Sequence, residues 1–146
     1  MSAATEMTGG CLCGAVRFSA TPVRMEMGVC HCGMCRRWSG GTLMAVDCAK
    51  SLKVEDAGAL GVFTSSDWGE RCFCSKCGST LFWRMRDGSS AHVCAQAFDD
   101  PSVFTFAEEI FIDDKPDNYA FANDTRKLTG AEVMALFAQQ DGTTDG

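Results

Sequence analysis

Hydrophobic and polar residues alternate with period two over short stretches of this chain, and turn-forming pairs interrupt them often. That pattern predicts a mainly β protein. The cleanest alternation runs over residues 10–18, where Leu12, Val16 and Phe18 share a strand face with Gly14, and Cys11, Cys13, Ala15 and Arg17 share the other. Similar strands are predicted near residues 23–29, 42–48, 60–65, 80–85, 91–96 and 108–112, with Phe104, Phe106, Phe111 and Phe121 as core candidates. The punctuation comes from Gly9-Gly10, Gly40-Gly41, Asp87-Gly88, Asp100-Pro101 and Lys115-Pro116. One helix stands out: Thr129 to Glu132 reads as a capping box, and Val133, Leu136 and Phe137 continue an apolar stripe to about Gln140. Residues 1–8 and 141–146 are small, polar and aperiodic, so they are expected as flexible tails around a single domain spanning 9–140.

Length and composition narrow the class. A chain of 146 residues with 46% hydrophobic content can bury one core. It contains no run of eighteen apolar residues and no basic segment followed by an apolar one at its start, so a soluble, cytoplasmic protein is expected. The formal charge of -6, without a Lys/Arg stripe, argues against a nucleic-acid surface.

Ten cysteines change the picture. In a reducing compartment their spacing reads as metal ligation rather than as disulfides. Most fall into three clusters: Cys11 and Cys13; Cys30, Cys32 and Cys35; and Cys72, Cys74 and Cys77, the last followed by Gly78. A Cys-x-Cys pair on one strand face can reach a single ion, and a Cys-x-x-Cys-Gly unit does so through a tight turn. Zinc is the expected metal, because it accepts four thiolates in a tetrahedron and does no redox chemistry; iron is the second choice. Joining Cys11 and Cys13 to Cys74 and Cys77 completes a closed, structural site. Cys30, Cys32 and Cys35 then supply three ligands, the pattern of a catalytic zinc. With three thiolates the ion is a modest Lewis acid, better suited to deprotonating an incoming thiol than to activating water. Spacing alone leaves a choice open, since Cys72, Cys74 and Cys77 repeat the pattern of the middle triad. Gly78 favours the structural turn there, and Arg36, Arg37 and Trp38 after Cys35 look placed to meet an anionic ligand.

Three stretches together carry a resemblance: Gly10 to Phe18 (GCLCGAVRF), Cys30 to Arg36 (CHCGMCR) and Phe73 to Gly78 (FCSKCG). The chain resembles the glutathione-dependent formaldehyde-activating enzyme family, which includes the centromere protein V group. The resemblance covers about residues 8–121, with Phe98 to Pro101 and Lys115-Pro116 also similar to that family. It implies a β-tent of small antiparallel sheets with a C-terminal helix added here, and two zinc ions per chain. The structural ion falls to Cys11, Cys13, Cys74 and Cys77, and the catalytic ion to Cys30, Cys32 and Cys35. The implied reaction joins glutathione to formaldehyde as S-hydroxymethylglutathione, a carbon-sulfur lyase activity in reverse.

Arg36 and Arg37 are the candidate groups for binding the anionic thiol, and His31 and His92 the candidate proton carriers. His92 and Cys94 share a strand face and are also candidates to complete the middle site. Cys48, Cys72 and Cys94 otherwise read as small buried hydrophobes, and Glu108-Glu109 and Asp113-Asp114 as solvated strand ends. The competing function is a zinc-stabilised binding module without chemistry.

Overall fold

The computed structural model describes residues 5–141, with side chains described to residue 138. Residues 1–4 and 142–146, which fall in the expected tails, lie outside the described residues. The chain divides into two compact units, residues 1–27 with 44–105 and residues 28–43 with 106–146.

The first unit opens with strands β1 (Met7–Gly10) and β2 (Arg17–Ala20), an antiparallel hairpin extended by β5 (Lys53–Val54). Met7 and Thr8, expected as tail, therefore pair with Ala20 and Ser19. The predicted strand over 10–18 is also corrected. Residues 11–16 form the loop of this hairpin, Gly14 takes φ +83°, and Leu12 at the loop tip is 90% exposed rather than packed. Only Val16 and Phe18 keep the inward face that the alternation assigned them.

The same unit holds β4 (Leu43–Asp47), β6 (Leu60–Thr64), β7 (Gly69–Cys74), β8 (Thr80–Met85) and β9 (Ala91–Cys94), in the order β4-β9-β8-β7-β6 and antiparallel throughout. Its core is aromatic at the centre: Phe18 meets Phe98 edge-on at 5.4 Å and Phe82 at 6.3 Å, and Phe98 meets Phe104 at 5.2 Å. Cys48, Cys72 and Cys94 lie in or beside this core as buried side chains. Burial pushes the Cys72 thiol up to about 11 and, with Asp47 nearby, the Cys48 thiol up to about 12, so both stay protonated.

The second unit contains the end of β3 (Glu26–Cys30), helix α1 (Gly33–Ser39), β10 (Thr105–Ile110), β11 (Arg126–Leu128) and helix α2 (Gly130–Asp141). β10 lies between β3 and β11 and pairs parallel with β11, setting Glu109 opposite Lys127. A parallel pair needs a crossover, here residues 111–125, which no periodicity announced. The capping box forms as read: Thr129 N–H donates to Glu132 Oε1 (2.7 Å), and Glu132 N–H to Thr129 Oγ1 (3.2 Å). Along the apolar stripe Val133 is buried, but Leu136 and Phe137 remain 44% and 39% exposed. Of the four phenylalanines expected in the core, Phe104 alone is fully buried, while Phe106, Phe111 and Phe121 are half-buried. Among the described residues no helix is long and apolar enough to cross a membrane.

Candidate metal centres

The first unit brings Cys11, Cys13, Cys74 and Cys77 together, all four sulfurs within 4.8 Å of one another. Sγ of Cys13 lies 3.7 Å from that of Cys11 and 3.7 Å from that of Cys74. A tetrahedral zinc with sulfurs at about 2.3 Å requires neighbouring sulfurs about 3.8 Å apart, so the donor set fits this ion.

Two tight turns hold the sulfurs. In the hairpin loop Gly14 N–H donates to Cys11 C=O (3.2 Å), and Val16 N–H points at Cys11 Sγ (3.2 Å). After β7, Gly78 at φ +78° lets its N–H reach Cys74 C=O (2.8 Å), while the amides of Lys76 and Cys77 approach Cys74 Sγ at 3.3 and 3.4 Å. The left-handed glycines are what let each chain segment fold back and aim amide donors at sulfur.

Ser79 joins the two turns. Its Oγ accepts from Leu12 N–H (3.0 Å) and donates to Cys77 Sγ (3.2 Å). With that hydroxyl first and the Ser79 and Cys13 amides next, the Cys77 thiol is held down to about 5. Cys13 moves the other way: although the Ala15 amide favours its thiolate, burial and the three neighbouring sulfurs push it up to about 11. Thiolates this close repel one another, and a cation between them would relieve that repulsion, so the set suits a metal ion.

In the second unit Cys30, Cys32 and Cys35 form another set within 4.8 Å; among the described residues no further sulfur, imidazole or carboxylate belongs to it. Cys30 ends β3, and Cys32 is the N-cap of α1, its Sγ accepting Cys35 N–H at 3.4 Å. Hydrogen bonds from Cys30 and Cys35, with the Cys35 and Met34 amides, bring Cys32 down to about 2. Cys30 is driven far up by the sulfurs of Cys32 and Cys35 and by burial. The donors again suit zinc, here as three protein ligands.

The family description "glutathione-dependent formaldehyde-activating enzyme" matches residues 6–114 of the chain. The chain belongs to this family. A Schizosaccharomyces pombe protein named an uncharacterized lyase is 37% identical over 130 residues, covering 88% of this chain and 95% of that protein. A Halomonas elongata protein, whose name carries the same formaldehyde-activating description, is 34% identical over 85 residues, 52% of this chain and 54% of its own. A solved Rhodobacter sphaeroides structure shares the fold, with a TM-score of 0.56 at 22% identity over 64% of this chain and 88% of that one. The chain is thus a member of a glutathione-related lyase family, and its mainly β architecture is the one expected of it.

The remaining candidates separate. Arg36 is half-buried and spends its Nε–H on His31 C=O (2.9 Å), whereas Arg37 is exposed on α1. His92 and Cys94 sit on β9 in the first unit, the His92 ring 5.7 Å from that of Trp83. His31, expected as a proton carrier, is fully buried. Its Nε2 lies 2.8 Å from Glu109 Oε1 and its Nδ1 2.6 Å from Tyr119 Oη, so both ring nitrogens are taken. Glu109 is 1% exposed and not a solvated strand end. Although burial opposes it, the Thr125 hydroxyl (2.5 Å), His31 and Lys127 hold the Glu109 carboxyl below its usual range. Glu109, Tyr119, Thr125 and Ser79 escaped the sequence reading. An acidic pair at a strand end and a lone Tyr or Ser in a loop carry no periodic or spacing signal.

Proposed function

We propose that the chain is a zinc-dependent carbon-sulfur lyase-type enzyme acting on a glutathione-aldehyde adduct, in the manner of an S-hydroxymethylglutathione synthase. The observation that carries this reading is the unequal donor count: four sulfurs in one set and three in the other. Four thiolates complete a tetrahedral ion, and three leave one position for a ligand from outside the chain. When bound at the second set, zinc would supply the Lewis acidity that lets a thiol lose its proton near neutral pH.

The chain's own residues do the rest. Cys30, Cys32 and Cys35 would hold the ion, and Arg36 and Arg37, in the last turn of α1, offer positive charge to the carboxylates of glutathione. In the synthetic direction the thiol sulfur bonds to the aldehyde carbon, the carbonyl π bond opens onto oxygen, and the proton lost from sulfur ends on that oxygen. His31 cannot deliver it, because neither ring nitrogen faces an incoming molecule. Thiolate ligation of this kind persists in a reducing compartment, which makes the cytoplasm the expected location.

The test is a glutathione titration of cobalt-substituted protein. A new sulfur-to-metal charge-transfer band, absent in Cys32→Ser, is expected, together with faster adduct formation by the zinc form than by Cys32→Ser. A spectrum indifferent to glutathione would leave only a zinc-stabilised binding module.

A further inference from the structure

Every polar group of His31 is used within the second unit. Its backbone N–H donates to Ile110 C=O (3.0 Å), its C=O accepts from Arg36 Nε (2.9 Å), and its ring nitrogens meet Glu109 and Tyr119. The residue stands between Cys30 and Cys32, so whatever fixes its backbone and ring also fixes the direction in which the two flanking sulfurs are presented.

The hydrogen-bond roles follow from the ends of the chain of contacts. Glu109 as a carboxylate can only accept, so it takes the Nε2–H of His31 and the hydroxyl hydrogen of Thr125. On the other side of the ring, Nδ1 lies 2.6 Å from the Tyr119 hydroxyl, which closes the line. Tyr119 is held in turn. Lys115 Nζ donates to the Tyr119 carbonyl and lies 4.9 Å above its ring, and the Phe121 ring packs edge-on at 6.1 Å. Tyr119, Thr125 and Lys127 all lie beyond residue 114, where the family match ends. The tether is supplied by the C-terminal segment, brought alongside by the parallel pairing of β11 with β10.

We propose that the buried line Thr125–Glu109–His31–Tyr119 positions the Cys30/Cys32/Cys35 metal set, with Tyr119 as the positioning residue whose hydroxyl closes it. The proposal rests on the reading of those cysteines as a metal centre, but not on any glutathione chemistry. Metal sites commonly lose about 10- to 100-fold in affinity when the groups orienting their ligands are removed.

Full-length protein loaded with two zinc ions is competed with graded chelator, and the release step belonging to the second set is identified by its absence in Cys32→Ser. Tyr119→Phe is expected to weaken that step about 10- to 100-fold and to leave the step of the first set, in the other unit, where it was. Glu109→Gln, which keeps an acceptor for the Nε2–H, should stay near wild type, and Glu109→Ala should behave like Tyr119→Phe. Should Tyr119→Phe not fold, Thr125→Val carries the test, with the same step moved in the same direction. Unmoved release in Tyr119→Phe, or both steps moved equally, overturns the proposal. A wild-type centre that ignores glutathione would end the enzymatic reading and leave this tether standing.

Discussion

At the scale of single residues, the first cysteine set depends on a residue that is not a ligand. Gly78 reaches φ +78° with open space where a Cβ would stand, so a substitution there meets backbone strain and no clash. Gly78→Ala should therefore cost about 1–2 kcal/mol, the penalty of a left-handed conformation, without disturbing the core. Chemical denaturation of the zinc-loaded protein reads this directly, and a loss below about 0.5 kcal/mol would mean that the turn relaxes. A second residue-scale prediction concerns Asp99, which grips Arg17 in a two-pronged pair (2.6 and 3.0 Å) and accepts from Thr8 (2.7 Å). Arg17 first and Thr8 next hold the Asp99 carboxyl down to about 2. Because the folded value lies below the unfolded one of about 3.9, the stabilisation is complete above pH of about 4 and fades as pH falls toward 2. Both partners are partly exposed, 38% and 50%, so solvent screening keeps the contribution under about 1 kcal/mol. The stability gap between wild type and Asp99→Asn should shrink over that window, and a constant gap would show that the pair's charge is not what matters.

At the scale of elements, α2 shows what the sequence could announce. Its N-terminus is bonded three ways: the reciprocal Thr129–Glu132 box, and Gly130 N–H donating to Asp113 Oδ1 at 2.9 Å. Thr129→Ala should cost about 1 kcal/mol of local stability, seen as faster amide exchange in the first turn of α2. Unchanged exchange would show that Asp113 alone secures the helix start. The capping box was legible because its signal is local, a hydroxyl and a carboxylate three residues apart. The strands near 42–48, 60–65 and 80–85 were legible for the same reason, and are found as β4, β6 and β8. α1 was not: seven residues give a helical period too little length to register, and its cap is a cysteine sulfur. The hairpin loop over residues 11–16 was misread as strand because Cys-x-Cys suits one strand face equally well, and only Gly14 at φ +83° decides for a turn. That the cysteines gather into clusters able to hold a metal was readable from spacing, since thiolates two and three residues apart have few other uses. Spacing left Cys72, Cys74 and Cys77 interchangeable with Cys30, Cys32 and Cys35, and only Gly78 and the family resemblance chose between them. The line from Thr125 through Glu109 to Tyr119 was not readable, because it is assembled by a parallel pairing whose partners lie far apart in sequence.

At the scale of the whole molecule, the two cysteine sets should differ in what their metal does for folding. The first joins the hairpin loop to the turn after β7, linking Cys13 to Cys74 across a separation of 61 residues, inside the unit that holds the aromatic core. Treated as a crosslink of that length, it restricts the unfolded chain by about 4 kcal/mol. The second set spans only Cys30 to Cys35, a loop too short to restrain much of the unfolded ensemble. Stripping both ions with a strong chelator should therefore lower stability by several kcal/mol. Cys74→Ser should reproduce most of that loss, and Cys32→Ser little of it. Differential scanning calorimetry of the two variants beside the metal-free wild type makes the comparison. Equal losses from Cys74→Ser and Cys32→Ser would mean that the second ion is as structural as the first, and would remove the physical reason for assigning it chemistry.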